Sequence, residues 1–182
     1  MKKITKFRDI PRFTDIGRYA VDYPINHLIP WIEEEVKEDG LQLNPDFQRG
    51  HVWTEKQQIA YVEFILQGGR TGRDIFLNKP DWHHPVPDGA YNDFVCVDGL
   101  QRLTALRRFI QNEIKIFGSY YCEYTDNLRT LSDTIRVHVN DLKTKEEVLR
   151  WYIEMNAGGT PHSEEEIERV QKILDALTKT GH

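Results

Sequence analysis

Five consecutive residues, Asp98-Gly99-Leu100-Gln101-Arg102, have the types that hold an anion, and they stand between two very different patterns. Before them runs Phe94-Val95-Cys96-Val97, apolar without alternation, which reads as a strand buried on both faces. After them Leu103, Leu106 and Ile110 recur at intervals of three and four, the spacing of one helix face. Asp98 therefore lies at the carboxyl end of a strand, where ligands bind in open α/β sheets. Gly99 removes a side chain where the backbone must turn and where a ligand can approach. The amides of Leu100, Gln101 and Arg102 are donors at a helix start, an anion site. Arg102 adds a planar fork that takes a phosphate through two charge-assisted bonds. Asp98 suits a divalent cation or the orientation of a water, and Gln101 suits positioning a water or bonding a ligand. A plainer assignment stands beside this one: Asp98 only caps the helix, Gly99 only turns the chain, and Arg102 pairs with a surface acid.

A second constellation is Pro45-Asp46-Phe47-Gln48-Arg49-Gly50-His51-Val52-Trp53. Phe47, Val52 and Trp53 are expected to anchor this loop in the core, leaving Gln48, Arg49 and His51 to face a cleft. Arg49 then offers a second phosphate contact. Taken alone, the segment is equally a surface loop with aromatic anchors. His83 and His84 share a loop with Asp81 and Asp88, without a third ligand at metal-binding spacing.

Several elements must position these groups. Residues 26–38 read as a helix capped by Asn26, with Pro30 difficult to place inside it. A short strand is expected at 41–43. Thr54 and Gln57 form a capping box for a helix over 54–67, with Ile59, Val62, Ile65 and Leu66 on its apolar face and Gly68-Gly69 at its end. Strands are expected at 74–78, 94–97, 114–117 and 134–139. Thr144 with Glu147, and Ser163 with Glu166, then cap two late helices. Alternation of strands and helices points to an α/β or α+β domain with helices trailing at the C-terminus. The expected organisation is a basic arm over 1–20, the main domain over 21–142, and a helical annex packed on it over 143–182.

The chain has 182 residues, 39% hydrophobic and 29% charged, values of a globular protein rather than a disordered one. No apolar run is long enough to cross a bilayer, and the basic start lacks the apolar stretch of a secretory signal. Of two cysteines, Cys96 falls in the apolar run and is expected to be a buried free thiol, consistent with a reducing, cytoplasmic setting. The net charge of -5 excludes coating nucleic acid by bulk electrostatics. Charge is uneven, however: residues 1–18 carry six Lys or Arg against two Asp, whereas residues 19–40 carry six acids against one Lys. That basic arm suits a local DNA or partner contact, or is simply a solvated surface.

Together, PDFQRGHVWTEKQQIAYVEFIL and, about fifty residues after its Gln-Arg pair, VDGLQRLTALRRFI resemble the N-terminal domain of GmrSD-type modification-dependent restriction enzymes. Asn156-Ala-Gly-Gly-Thr-Pro161, before the last helix, is similar to that family's Asn-x-Gly-Gly segment, so the resemblance spans roughly residues 20–175. It implies a ParB/sulfiredoxin-like fold, a mixed sheet flanked by helices. It further implies nucleotide binding and hydrolysis that license DNA cleavage. The implied catalytic residues are Asp98, for Mg²⁺ or water, and Gln101. Gly99, Leu100 and Arg102, with Gln48 and Arg49 across the cleft, are the implied contacts of a nucleoside triphosphate. The family's turn is Asp-Gly-Gln-Gln-Arg; Leu100 stands where it has its first Gln, which bears on hydrolysis and base choice more than on phosphate binding. No Cys lies between Gly99 and Arg102, so sulfiredoxin chemistry is not expected. Nor does a chain ending at His182 leave room for the family's C-terminal nuclease domain. The expectation is a stand-alone module, encoded by a phage or mobile element, or one subunit of a two-protein system. Three functions stay open: Mg²⁺-dependent nucleoside triphosphate hydrolysis, a non-catalytic DNA-binding or regulatory module, and a decoy or subunit docking a nuclease or defence-system protein.

Overall fold

The computed structural model describes residues 3–10, 19–48, 52–129, 131–157 and 164–180. In chain order its regular elements are β1 (Tyr19–Pro24), α1 (Ile25–Glu38), α2 (Glu55–Leu66), β2 (Asp74–Asn78), β3 (Val95–Asp98), α3 (Leu100–Ile110), β4 (Thr134–Asn140), α4 (Lys145–Ala157) and α5 (Glu164–Thr180). The strands form one mixed sheet in the order β1-β4-β2-β3. β4 runs antiparallel to β1 and parallel to β2, and β3 is antiparallel to β2. This is the expected α+β class, a mixed sheet between helices.

Period-two alternation divides the strands between two cores. Ile75 and Leu77 of β2, Cys96 of β3, and Ile135, Val137 and Val139 of β4 face α1, α2 and α3. On the opposite face Val95 and Val97 of β3 meet Phe47, Val148, Leu149 and Tyr152 of α4, and Val170 of α5. β3 is thus buried on both faces, as its unbroken apolar run predicts. The α4–α5 pair is joined to the sheet through this second core. Buried Asn78 closes the end of β2: its side chain donates to the Leu142 carbonyl at 3.1 Å and accepts the Leu142 amide at 2.9 Å.

Capping explains where two helices begin. Thr54 Oγ1 accepts the Gln57 amide while Gln57 Oε1 accepts the Thr54 amide at 2.8 Å, the predicted reciprocal box. Thr144 and Glu147 repeat the arrangement, with bonds of 3.1 and 3.2 Å. Gly68, at φ +89°, follows α2. Ser163, the proposed cap of α5, lies outside the described residues.

Three expectations require correction, and one strand has no counterpart among them. Strand β1 is absent from the sequence reading, and its six residues only become a strand through pairing with β4. Helix α1 begins at Ile25, after Pro24, and continues through Pro30; Asn26 lies within it and its Oδ1 is buried without a partner. The Ile25 amide is satisfied by the Asp133 carbonyl at 3.0 Å, so the start is set by a tertiary contact. At 41–43 only Gln42 pairs, by an isolated parallel bridge to Val95. The 114–117 segment is a tight reversal, not a strand: Ile116 and Ser119 exchange backbone bonds of 2.9 and 3.0 Å, with Phe117 and Gly118 both at positive φ.

Candidate functional site

β3 ends in Asp98, the chain turns at Gly99, and α3 begins at Leu100. Gly99 has φ +122°, and a Cβ there would lie 2.4 Å from Ile75 Cδ1 and 3.3 Å from Ile75 Cα. Two constraints therefore require glycine: the dihedral and the approach of β2. Ile75 is the close neighbour for which the missing side chain makes room. Asp98 and Arg102 are four apart, one helical turn, and their side chains pair at 3.0 Å, each about one-quarter to one-third exposed. Another Arg102 nitrogen donates to the backbone carbonyl of Asp74. The guanidinium is thereby held in place by the turn and the start of β2.

Below the turn, Cys96 is a fully buried free thiol. Burial first, and the Asp98 charge second, push it up to about 12, so it stays protonated. The Leu100 side chain lines a surface groove with Leu103, Thr104 and Arg107 of α3, and with Ile29, Ile32 and Leu43.

That loop reaches the turn through two glutamines. Gln48 Nε2 donates to the carbonyl of Val97 at 3.0 Å and also to that of Cys96. Gln101 Oε1 accepts the amides of Val52 and Trp53, each at 3.0 Å. Both side chains assigned to a ligand by the sequence thus bond the protein backbone. Phe47 is buried, as expected, packed edge-on against Tyr152. Val52 is exposed, not anchored, because its loop is held through its backbone amide. Arg49 and His51 lie outside the described residues.

Asp74 and His138 join the site's border without any signal in the sequence, since 64 residues separate them. His138 Nε2 meets Asp74 Oδ1 at 2.7 Å, its ring stacks on Phe76 at 4.6 Å, and its Nδ1 is buried without a partner. Parallel pairing of β2 with β4 is what brings them together. Alongside, Arg136 forms a two-bond pair with Asp22, both contacts 2.8 Å. This pair holds the Asp22 carboxyl below the usual carboxylate range.

Among the described residues no group of three or more His, Cys, Asp or Glu is placed to hold a metal ion. Asp98 alone fits a cation whose other ligands are phosphate oxygens and water, the usual mode for Mg²⁺. Among those residues, too, no helix is long and apolar enough to cross a membrane.

Residues 32–127, just over half of the chain and including both motifs, match the family described as the GmrSD restriction endonuclease, N-terminal domain. No curated protein and no solved structure matches the chain.

Proposed function

From the premise that the chain belongs to the GmrSD restriction endonuclease N-terminal domain family, we propose that it binds and hydrolyses a nucleoside triphosphate at the Asp98–Arg102 turn, as a module of a DNA restriction or defence system. The observation that carries this reading is the Asp98–Arg102 pair itself, 3.0 Å apart and half-buried at a strand-to-helix turn. A phosphate entering there exchanges with Asp98 for the Arg102 fork, a charge-assisted bidentate contact. The positive end of α3 favours the same charge. Asp74 keeps Arg102 aimed throughout, because its carbonyl bond does not involve the carboxylate. Asp98, released from Arg102, then orients water or a phosphate-borne cation. Bound Mg²⁺ would neutralise developing charge on the phosphates.

The thermal midpoint of wild type and of Arg102→Ala, with ATP, GTP, CTP or UTP and with or without Mg²⁺, tests the assignment. A nucleotide near a hundred times its dissociation constant stabilises the fold by about 2.7 kcal/mol. We expect that shift for one base in wild type and its loss in the variant. No shift with any nucleotide sinks the proposal.

One observation favours a second reading, a DNA-binding module: Lys3, Lys6 and Arg8 of the arm are exposed. Its mark is DNA affinity that falls steeply with salt and weakens when residues 2–12 are deleted.

A further inference from the structure

We infer that Gln48 and Gln101 are positioning residues, a reciprocal clamp that ties Gln48, Val52 and Trp53 to the β3–α3 turn. The inference rests on the proposed nucleotide site only for what the clamp serves. An amide group has two N–H donors and one oxygen with two lone pairs. The Gln48 Nε2 bonds use both hydrogens, on the Cys96 and Val97 carbonyls. The two amides of Val52 and Trp53 use both lone pairs of Gln101 Oε1. One glutamine reaches from loop to strand and the other from helix to loop. The two segments, 48 residues apart in sequence, are therefore tied at both ends of the stretch 48–53. Each bond also answers a local need. β3 is an edge strand in the sheet, and the Cys96 and Val97 carbonyls near its end take the Gln48 side chain as their donor. The loop amides of Val52 and Trp53 sit just before the Thr54 cap, where no helical carbonyl reaches them.

Charge isosteres separate a clamp from a ligand contact. Glutamate in Gln101→Glu keeps an oxygen that accepts both amides, whereas Gln101→Ala has none. A Gln101 that touched phosphate would show the reverse, with the carboxylate repelling the nucleotide more than alanine loses. Gln48→Glu instead sets a carboxylate against two carbonyls and is expected to release the loop.

The experiment is amide hydrogen exchange on the full chain, read at Val52 and Trp53 without nucleotide, alongside ATP, GTP, CTP and UTP titrations of each variant. We expect Gln101→Ala to speed exchange at both amides by about tenfold, the loss of one hydrogen bond, and to weaken nucleotide binding. Gln101→Glu should restore protection and bring affinity back to near wild type. Unchanged protection in Gln101→Ala overturns the clamp, as does a Gln101→Glu variant that protects the amides yet binds nucleotide more weakly than Gln101→Ala. If wild type binds no nucleotide, the functional proposal fails while the exchange result still decides the clamp. Should Gln48→Glu fail to fold, the two Gln101 variants decide the matter.

Discussion

The two edge strands of the sheet are finished in opposite ways. β3 has four residues, its first three buried, and its outer side is covered by the Gln42 bridge and the Gln48 side chain. β1 has six residues, all exposed or half-buried, and among the described residues pairs only with β4. On β1, Val21 and Tyr23 pack against the core while Asp22 points outward to Arg136. An edge covered by side chains from a distant segment becomes rigid, and rigidity is what a binding turn requires. An edge protected by charge and by a terminal proline needs only to avoid pairing with another chain. The candidate site grows from the first kind of edge.

Gly99→Ala should disturb the closed edge most. The backbone strain of a non-glycine residue at positive φ and the overpacking against Ile75 together cost about 3 kcal/mol or more. For a chain of this size that lowers the thermal midpoint by roughly 6–12 °C. An unchanged midpoint would mean that β2 and the turn yield easily, contrary to a rigid edge.

The same deletion placed in both edges sharpens the contrast. Val97→Ala removes a fully buried side chain and should cost about 2 kcal/mol in denaturant unfolding. Val21→Ala, at a half-buried position, should cost about half as much. Equal losses would remove the distinction between the strands.

Thiol chemistry tests the closure of β3 without mutation, with an exposed thiol elsewhere in the chain as the control. Cys96 is buried and its thiol is pushed up to about 12, while Cys122 is exposed. A disulfide reagent should label Cys122 promptly in the folded protein and Cys96 only after denaturation.

The smallest effect belongs to the open edge. Asp22 and Arg136 are each about half exposed, so a double-mutant cycle should give only a small coupling that shrinks in high salt. Because the Asp22 carboxyl is held below its ordinary value, this small stabilisation exists above the unfolded-state value and is lost as pH falls through the folded one. A coupling that survives full protonation would show that packing, not charge, joins the pair.

What the sequence determined by itself is local. The unbroken apolar run announced a strand buried on both faces, and period 3.6 announced α3. Two Thr-x-x-Glu/Gln boxes located the starts of α2 and α4, since a cap is a bond between neighbours in sequence. The Asp-Gly-x-Gln-Arg turn was equally legible, and with it the family. What the tertiary structure decided involves partners far apart in sequence. β1 exists through β4, and α1 starts where Asp133 meets its first amide. Gly99 is constrained by Ile75 as well as by its own dihedral. Asp74 supplies the carbonyl that aims Arg102, and parallel pairing of β2 with β4 brings His138 to Asp74. Residue type gave Gln48 and Gln101 the capacity to bond a ligand. Only the folded arrangement shows that those bonds go to the backbone of the facing segment, because an amide side chain binds whichever polar group the fold brings within 3 Å.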